Sequence, residues 1–217
     1  MSEEFFNHLS DEEQYCVDHS VAESDLLREI ARFTWTTRNY PRMISGHLQG
    51  RLLSMLSRLK RPSCILEIGT FTGYSALCLA EGLVSGGVLH TIEIDPELEE
   101  PLRQFFSQSV YSSLIHLHVG DAVQVIPSLN ISPDLVYIDA DKEQYPSYLE
   151  LCVEIMPSGG LLIADNVLWG GKVLKPSVKK DKETEGVRLF NERVKNHPRL
   201  EPLMLPFWDG LTLAWIK

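Results

Sequence analysis

Two apolar runs of this chain end in acids. Leu135-Val136-Tyr137-Ile138-Asp139 continues into Ala140-Asp141-Lys142, and Leu161-Leu162-Ile163-Ala164-Asp165 continues into Asn166. An apolar run that stops at a carboxylate places it at the carboxyl end of a buried strand, where open α/β sheets bind their ligands. Asp139, Asp165 and Asn166 offer only oxygen donors, which suits a hard divalent cation such as magnesium, manganese or calcium better than zinc. Each acid taken singly also reads as a helix cap or turn residue. Lys142 lies one helical step beyond Asp139. A solvated lysine there would oppose the dipole of the helix it opens, which favours a functional role.

A second constellation is Glu67-Ile68-Gly69-Thr70-Phe71-Thr72-Gly73-Tyr74-Ser75. Its two glycines let the backbone turn sharply and approach a ligand closely. They stand four apart with no glycine between, so the dinucleotide pattern GxGxxG is absent and a pyrophosphate is poorly served. Glu93 ends the next apolar run, 20 residues after Gly73, where an acid accepts hydrogen bonds from both ribose hydroxyls. A nucleoside cofactor without a pyrophosphate fits both facts, and a plain glycine turn followed by a strand-end acid is the alternative. Asp121 and Ala122 close a third run, in place to border an adenine. An NAD-dependent oxidoreductase shares the glycine turn and the acid, and a non-catalytic sensor of the same cofactor would keep them too.

Other chemistry-bearing residues carry less. His116 and His118 alternate onto one strand face with no third ligand nearby in sequence, which reads as a half-exposed surface. His47 reads as a surface or interface histidine. Ser45 and Ser75 lack His and Asp partners, so no serine nucleophile is indicated. The stretch Lys179-Lys180-Asp181-Lys182 reads as a solvated loop.

The elements that must position these residues alternate. Strand-like runs at residues 64–68, 88–94, 115–119, 135–139 and 160–165 are separated by helical stretches opening near Gly73, Pro96, Asp121 and Lys142. That alternation implies crossover connections and a parallel sheet. A polar helix around residues 183–195 leads to two further runs, 200–207 and 211–216, separated by Trp208-Asp209-Gly210. Asp-Gly between strand-like runs predicts a hairpin and an antiparallel end to the sheet. Ahead of the sheet lie about 60 residues of helical spacing, with Leu48, Leu52, Met55, Leu56 and Leu59 forming one apolar stripe. This segment is expected to cover the ligand end of the sheet or to pair with a second subunit as a homodimer. Residues 170–182 read as a mobile loop beside the site.

The chain has 217 residues, 44% of them hydrophobic, enough for one domain, residues 1–217, with a helical segment over 1–60 and a core over 61–217. A formal charge of −10 repels phosphate backbones and argues against nucleic-acid partners. Cys16, Cys64, Cys78 and Cys152 form no CxxC pair, so reduced thiols are expected. The start at residues 1–6 lacks a basic region and a long apolar run, and no stretch approaches the ~20 apolar residues that cross a bilayer. No membrane association and a cytoplasmic location are expected.

These motifs resemble those of the cation-dependent, S-adenosylmethionine-dependent O-methyltransferases, the family of the caffeoyl-CoA and catechol enzymes and their small bacterial relatives. The resemblance runs from about Met43 to the C-terminus. It is carried by residues 66–75, by Tyr137-Ile138-Asp139-Ala140-Asp141-Lys142, by Asp165-Asn166-Val167-Leu168-Trp169 and by Asp209-Gly210-Leu211-Thr212-Leu213. It implies a Rossmann-like sheet, mostly parallel with an antiparallel C-terminal hairpin and helices on both faces. It implies a small aromatic diol as acceptor. Glu67, Gly69, Thr70, Gly73 and Ser75 would hold the methionine part of the cofactor, with Met43 and Ser45 from the preceding segment. Glu93 would hold the ribose, and Asp121 and Ala122 would border the adenine. Asp139, Asp165 and Asn166 fall on the metal ligands, Asp139 also beside the cofactor, and Lys142 falls on the general base. A phenolic hydroxyl with a pKa of about 10 needs such help to become a nucleophile. Trp169, Trp208 and Asp209 would border the acceptor. Phe207-Trp208 stand where many bacterial relatives carry a small residue, which implies a reshaped acceptor pocket. The segment after Trp169 is shorter than in the plant enzymes, which argues against a coenzyme A ester.

Overall fold

The computed structural model describes residues 9–176 and 180–217. The chain start at residues 1–6 and Lys179, read above as leaderless and as part of a solvated loop, lie outside the described residues. Five strands, β1 (Cys64–Ile68), β2 (Val88–Glu93), β3 (Ile115–Val119), β4 (Leu135–Ile138) and β5 (Leu161–Asp165), run parallel. With β6 (Leu200–Leu205) and β7 (Leu211–Ile216) they form a seven-stranded sheet ordered β3-β2-β1-β4-β5-β7-β6, in which β7 is antiparallel to both β5 and β6. The antiparallel C-terminal pair is therefore as expected. The hairpin loop is longer than the three residues Trp208-Asp209-Gly210 that the spacing suggests. Five residues, 206–210, link the strands, with Trp208 and Gly210 in the left-handed region. The longer turn docks on the segment after β5: the Leu168 and Val167 N–H groups donate to the carbonyls of Asp209 and Gly210 at 2.8 and 3.2 Å. Gly210 is required there, because a Cβ would lie 2.5 Å from Leu168 Cγ.

Among the described residues eight α-helices surround the sheet: α1 (Asp11–Asp18), α2 (Asp25–Thr37), α3 (Gly46–Lys60), α4 (Tyr74–Ala80), α5 (Glu99–Gln108), α6 (Ala122–Val125), α7 (Tyr145–Ile155) and α8 (Lys182–Asn196). Strand alternation divides the core in two. Leu66, Ile92, Val136, Ile138 and Leu162 face the α7 and α8 side, against Leu149, Cys152 and Phe190. Ile65, Leu89, Tyr137 and Ile163 face the other way, against Ile30, Leu53, Leu77 and Phe105. Among the described residues no helix is long and apolar enough to cross a membrane.

Helix α3 divides its residues between two sides. The face it buries is Gln49, Gly50, Leu53, Ser54 and Ser57, whereas Met55 and Leu59 of the apolar stripe are 62% and 76% exposed. The reason is close packing on α4. A Cβ on Gly50 would lie 2.6 Å from the Tyr74 ring, and Ser57 Oγ donates to the Leu79 carbonyl at 2.6 Å. Small residues face inward because the helices nearly touch, so the large apolar ones are left outside. Upstream, the Thr34 and Thr72 hydroxyls meet at 2.8 Å, Tyr74 donates to Glu23, and His47 Nε2 lies 2.7 Å from the Val21 carbonyl. The N-terminal segment thus grips the loop after β1.

Candidate active site

Sheet register lines up the chemistry of four distant segments. Ile68 pairs with Ile92 on one side and Ile138 on the other, and Ile138 pairs with Ala164. Glu93, Gly69, Asp139 and Asp165 therefore follow one another in a row along the carboxyl edge. Alternation also turns Tyr137, Asp139 and Asp165 to the face that meets α3. The row sits where strand order reverses between β1 and β4, the position at which open α/β sheets bind ligands.

A cavity of about 770 Å³ opens over this edge, within the size range of small-molecule sites. Of the sequence candidates, Met43, Ser45, Gly69, Thr70, Ser75, Glu93, Ala122, Asp139, Lys142, Asp165, Asn166, Trp169, Trp208 and Asp209 line it. Three do not. Asp121 caps α6, its carboxylate accepting from the Val123 N–H at 3.0 Å. Gly73 faces Phe106 and Leu102. Glu67 lies fully buried beneath the loop.

Seven non-glycine residues among those described have positive φ, and four of them, Phe71, Asn166, Trp169 and Trp208, line the cavity. Such backbone strain gathers at functional sites because it re-aims side chains that a relaxed turn would point elsewhere. Gly69 has φ +97°, and a Cβ there would lie 1.9 Å from the Asp139 carbonyl oxygen. The close approach of the two strand ends leaves room for hydrogen only.

The polar network is dense. Lys142 is 6% exposed. Its Nζ lies 3.0 Å from Asp139 Oδ1 and donates to Tyr145 Oη at 2.7 Å, so it is no solvated first-turn lysine. Tyr145 in turn donates to the Asp165 carbonyl at 2.9 Å. Asp165 Oδ1 accepts from the Asn166 N–H at 2.8 Å, and Oδ2 accepts from Gln49 Nε2 at 2.5 Å. Burial, then the neighbouring Asp139 carboxylate, push the Asp165 pKa up to about 6. Glu93 accepts from the Phe71 and Asp95 N–H groups at 2.6 and 2.9 Å, and burial raises its pKa despite those bonds.

Beneath the loop, Glu67 accepts from Thr91 at 2.5 Å, while its other oxygen has no partner. Burial pushes its pKa up to about 8. The indole of Trp169 lies under two ammonium groups, Lys142 at 5.7 Å and Lys172 at 5.2 Å from the ring centre. Asp209 accepts from the Gly170 N–H at 2.5 Å, tying the two turns that carry the tryptophans.

Sequence reasoning missed Gln49, which lines the cavity from α3. The helix also carries Arg51, Ser54, Ser57, Arg58 and Lys60, so its sequence alone did not mark Gln49 out. Sequence reasoning also missed His90, which stacks between His116 and His118 on the sheet edge, its Nδ1 3.0 Å from His118 Nε2. Among the described residues no three His, Cys, Asp or Glu side chains are placed to hold a metal ion. A cation at the cavity would therefore rest on two carboxylates and the Asn166 amide.

The fold and the cavity define a nucleoside-binding α/β enzyme of the methyltransferase type. A family model described as O-methyltransferase matches residues 17–217, extending the resemblance upstream of Met43. The catechol O-methyltransferase domain-containing protein 1 of Mus musculus is 35% identical over 93% of this chain and 78% of its own length. The O-methyltransferase TomG of Streptomyces achromogenes, solved in complex with SAM, superposes with a TM-score of 0.89 and 30% identity over 100% of this chain and 99% of its own. The O-methyltransferase of Bacillus cereus, solved with SAH, gives a TM-score of 0.88 and 28% identity over 94% and 96% of the two chains. The chain belongs to the O-methyltransferase family, the S-adenosylmethionine-dependent group that contains the catechol and caffeoyl-CoA enzymes. That membership displaces the NAD-dependent alternative.

Proposed function

We propose that this chain moves the methyl group of S-adenosylmethionine to a hydroxyl of a small vicinal-diol aromatic, catechol- or caffeoyl-like. A divalent cation held by Asp139, Asp165 and Asn166, and Lys142 as general base, complete the proposal. The observation that carries it is the placement of both carboxylates and the buried Lys142 side chain in one cavity with the loop after β1.

The residues fit both absent groups. Two carboxylates side by side in a buried place repel one another, as the raised Asp165 pKa reflects, and a cation relieves that repulsion. The orphaned oxygen of Glu67 and the bare Gly69 suit a cationic ligand lying close to the backbone. S-adenosylmethionine supplies an electrophilic methyl group, and a divalent cation lowers the pKa of a hydroxyl beside it.

The chain's own residues do the rest. Met43, Ser45, Thr70 and Ser75 would orient the methionine part, with Glu67 beneath them and Glu93 on the ribose. Ala122 would border the adenine. Trp169 and Trp208 would flank a flat ring, limiting its approach to one plane, and Asp209 fixes the turn that carries Trp169. Lys142 would take the hydroxyl proton, and Tyr145 keeps its Nζ directed at the cavity. A phenol with a pKa of about 10 needs that removal to attack in line.

Replacing Asp139 or Asp165 with Ala should abolish methylation of a catechol probe in magnesium while S-adenosylhomocysteine still binds by calorimetry. Wild-type turnover in the Asp165→Ala protein would sink the cation role. Absence of turnover in wild type with a range of diols would return the non-catalytic reading.

A cytoplasmic homodimer belongs to the same proposal. The outward stripe of α3, with Leu52 and Leu56 half-buried beside Met55 and Leu59, is the face assigned to the second copy. Light scattering of a Met55→Glu, Leu59→Glu protein should give the monomer mass. A dimer mass rules that face out.

A further inference from the structure

The carboxylate of Asp165 is held by a residue that lies outside every motif. Gln49 stands 116 residues away on α3 and is buried. Its Nε2 donates one hydrogen to Asp165 Oδ2 at 2.5 Å and the other to Tyr137 Oη at 3.0 Å. The Tyr137 hydroxyl, on a fully buried ring, lies 3.4 Å from the same Oδ2. With the Asn166 N–H on Oδ1, both oxygens of Asp165 have fixed directions, and Tyr137 fixes the amide that fixes one of them.

The placement of Gln49 is itself determined by packing. Gly50, the next residue, allows α3 to approach the Tyr74 ring to a distance that any side chain would block. The helix is thereby close enough for a glutamine, and not only a longer side chain, to reach the carboxyl end of β5. No backbone group or ion pair of α3 makes that connection.

We propose that Gln49 is a positioning residue for the cation. Its amide, held by Tyr137, orients Asp165 so that the free lone pairs of the carboxylate face the cavity beside Asp139. A neutral amide does this without adding a charge to the two carboxylates already there. Partners that orient metal ligands in this way typically change metal affinity by about 10- to 100-fold when removed. This inference rests on the cation site proposed above.

The test is Mn²⁺ binding, followed by the loss of the free-ion paramagnetic resonance signal, on wild type and on Gln49→Met, Tyr137→Phe and Asp165→Ala proteins. Methionine keeps the length of glutamine and removes both donors. Gln49→Met is expected to bind Mn²⁺ about 10- to 100-fold more weakly than wild type. Its S-adenosylhomocysteine affinity should stay within about twofold, a split that general damage to the fold would not give. Tyr137→Phe should weaken Mn²⁺ in the same direction, and the double variant should lose less than the two effects multiplied, since both act through one amide. Mn²⁺ affinity within twofold of wild type in Gln49→Met, with Asp165→Ala losing it, overturns the role of Gln49 and leaves the cation site standing. Equal binding in wild type and Asp165→Ala overturns both.

Discussion

Burying an ionisable acid under the loop after β1 makes stability depend on pH in a direction opposite to that of an ordinary salt-bridged carboxylate. Glu67 is fully buried, with one oxygen on Thr91 and the other unpaired. Burial is the largest cause of its raised pKa. Asp139 and Glu93 push the same way, and the nearby Ser75 hydroxyl and the Thr91 hydrogen bond pull it back. The folded value, about 8, lies above the ordinary 4.5, so the fold favours the neutral acid. Its stabilisation is complete below pH 4.5 and is lost as pH rises towards 8. At about 1.4 kcal/mol per pH unit, the loss is on the order of 3 kcal/mol by pH 7 and 5 kcal/mol over the whole window.

Glu67→Gln keeps the shape, lets the amide oxygen accept from Thr91 and removes the titration. Urea unfolding of both apoproteins at pH 5 and pH 8 isolates the effect, because all other groups cancel between them. The variant should gain a few kcal/mol on wild type between pH 5 and pH 8. Parallel stabilities at both pH values, within about 0.5 kcal/mol, would refute the reasoning. If the methionine ammonium approaches this acid as proposed, binding S-adenosylhomocysteine at pH 7 also releases a proton. The calorimetric enthalpy of wild type, but not of Glu67→Gln, should then vary with the ionisation enthalpy of the buffer.

Other perturbations separate the parts of the site. Gly69→Ala forces a Cβ to 1.9 Å from the Asp139 carbonyl at φ +97°, and should cost about 3 kcal/mol or more in urea unfolding. Gly86→Ala, at φ +78° with open space around it, should cost about 1–2 kcal/mol. Lys142→Met should lower kcat by about 100- to 10,000-fold with S-adenosylhomocysteine affinity retained, the signature of a lost proton acceptor rather than a lost binding contact. Arg188 donates to the carbonyls of Lys172, Val173 and Lys175 and so pins the turn after Trp169. Arg188→Ala should raise the KM for the acceptor by roughly 10-fold with little change for S-adenosylmethionine, read by steady-state kinetics.

The sheet was legible because its strands are short apolar runs that end at acids or glycines, and the acids at 93, 139 and 165 are what register brings into one row. Lys142 was legible from its mismatch with the helix dipole, and its burial against Asp139 follows. What sequence spacing could not reveal is contact between distant elements. Nothing in the order of residues places Gln49 on Asp165 or His90 between His116 and His118. Both meetings depend on how closely a helix or a neighbouring strand packs. Spacing also could not say which side of α3 packs inward: the helix packs through Gly50, Leu53 and two serines and leaves Met55 and Leu59 outside. The cap that Asp121 forms on the Val123 N–H is local and shows only once the helix is placed.

The central claim, that a cation held by Asp139, Asp165 and Asn166 makes an acceptor hydroxyl reactive, is tested most directly by methyl transfer under control of the metal. Wild-type protein, S-adenosylmethionine carrying a labelled methyl group and caffeate are incubated in magnesium, after chelation, and after magnesium is restored. The account predicts labelled product in the first and third conditions and a loss of at least about 100-fold in the second. Methylation at an undiminished rate in the chelated sample would contradict it.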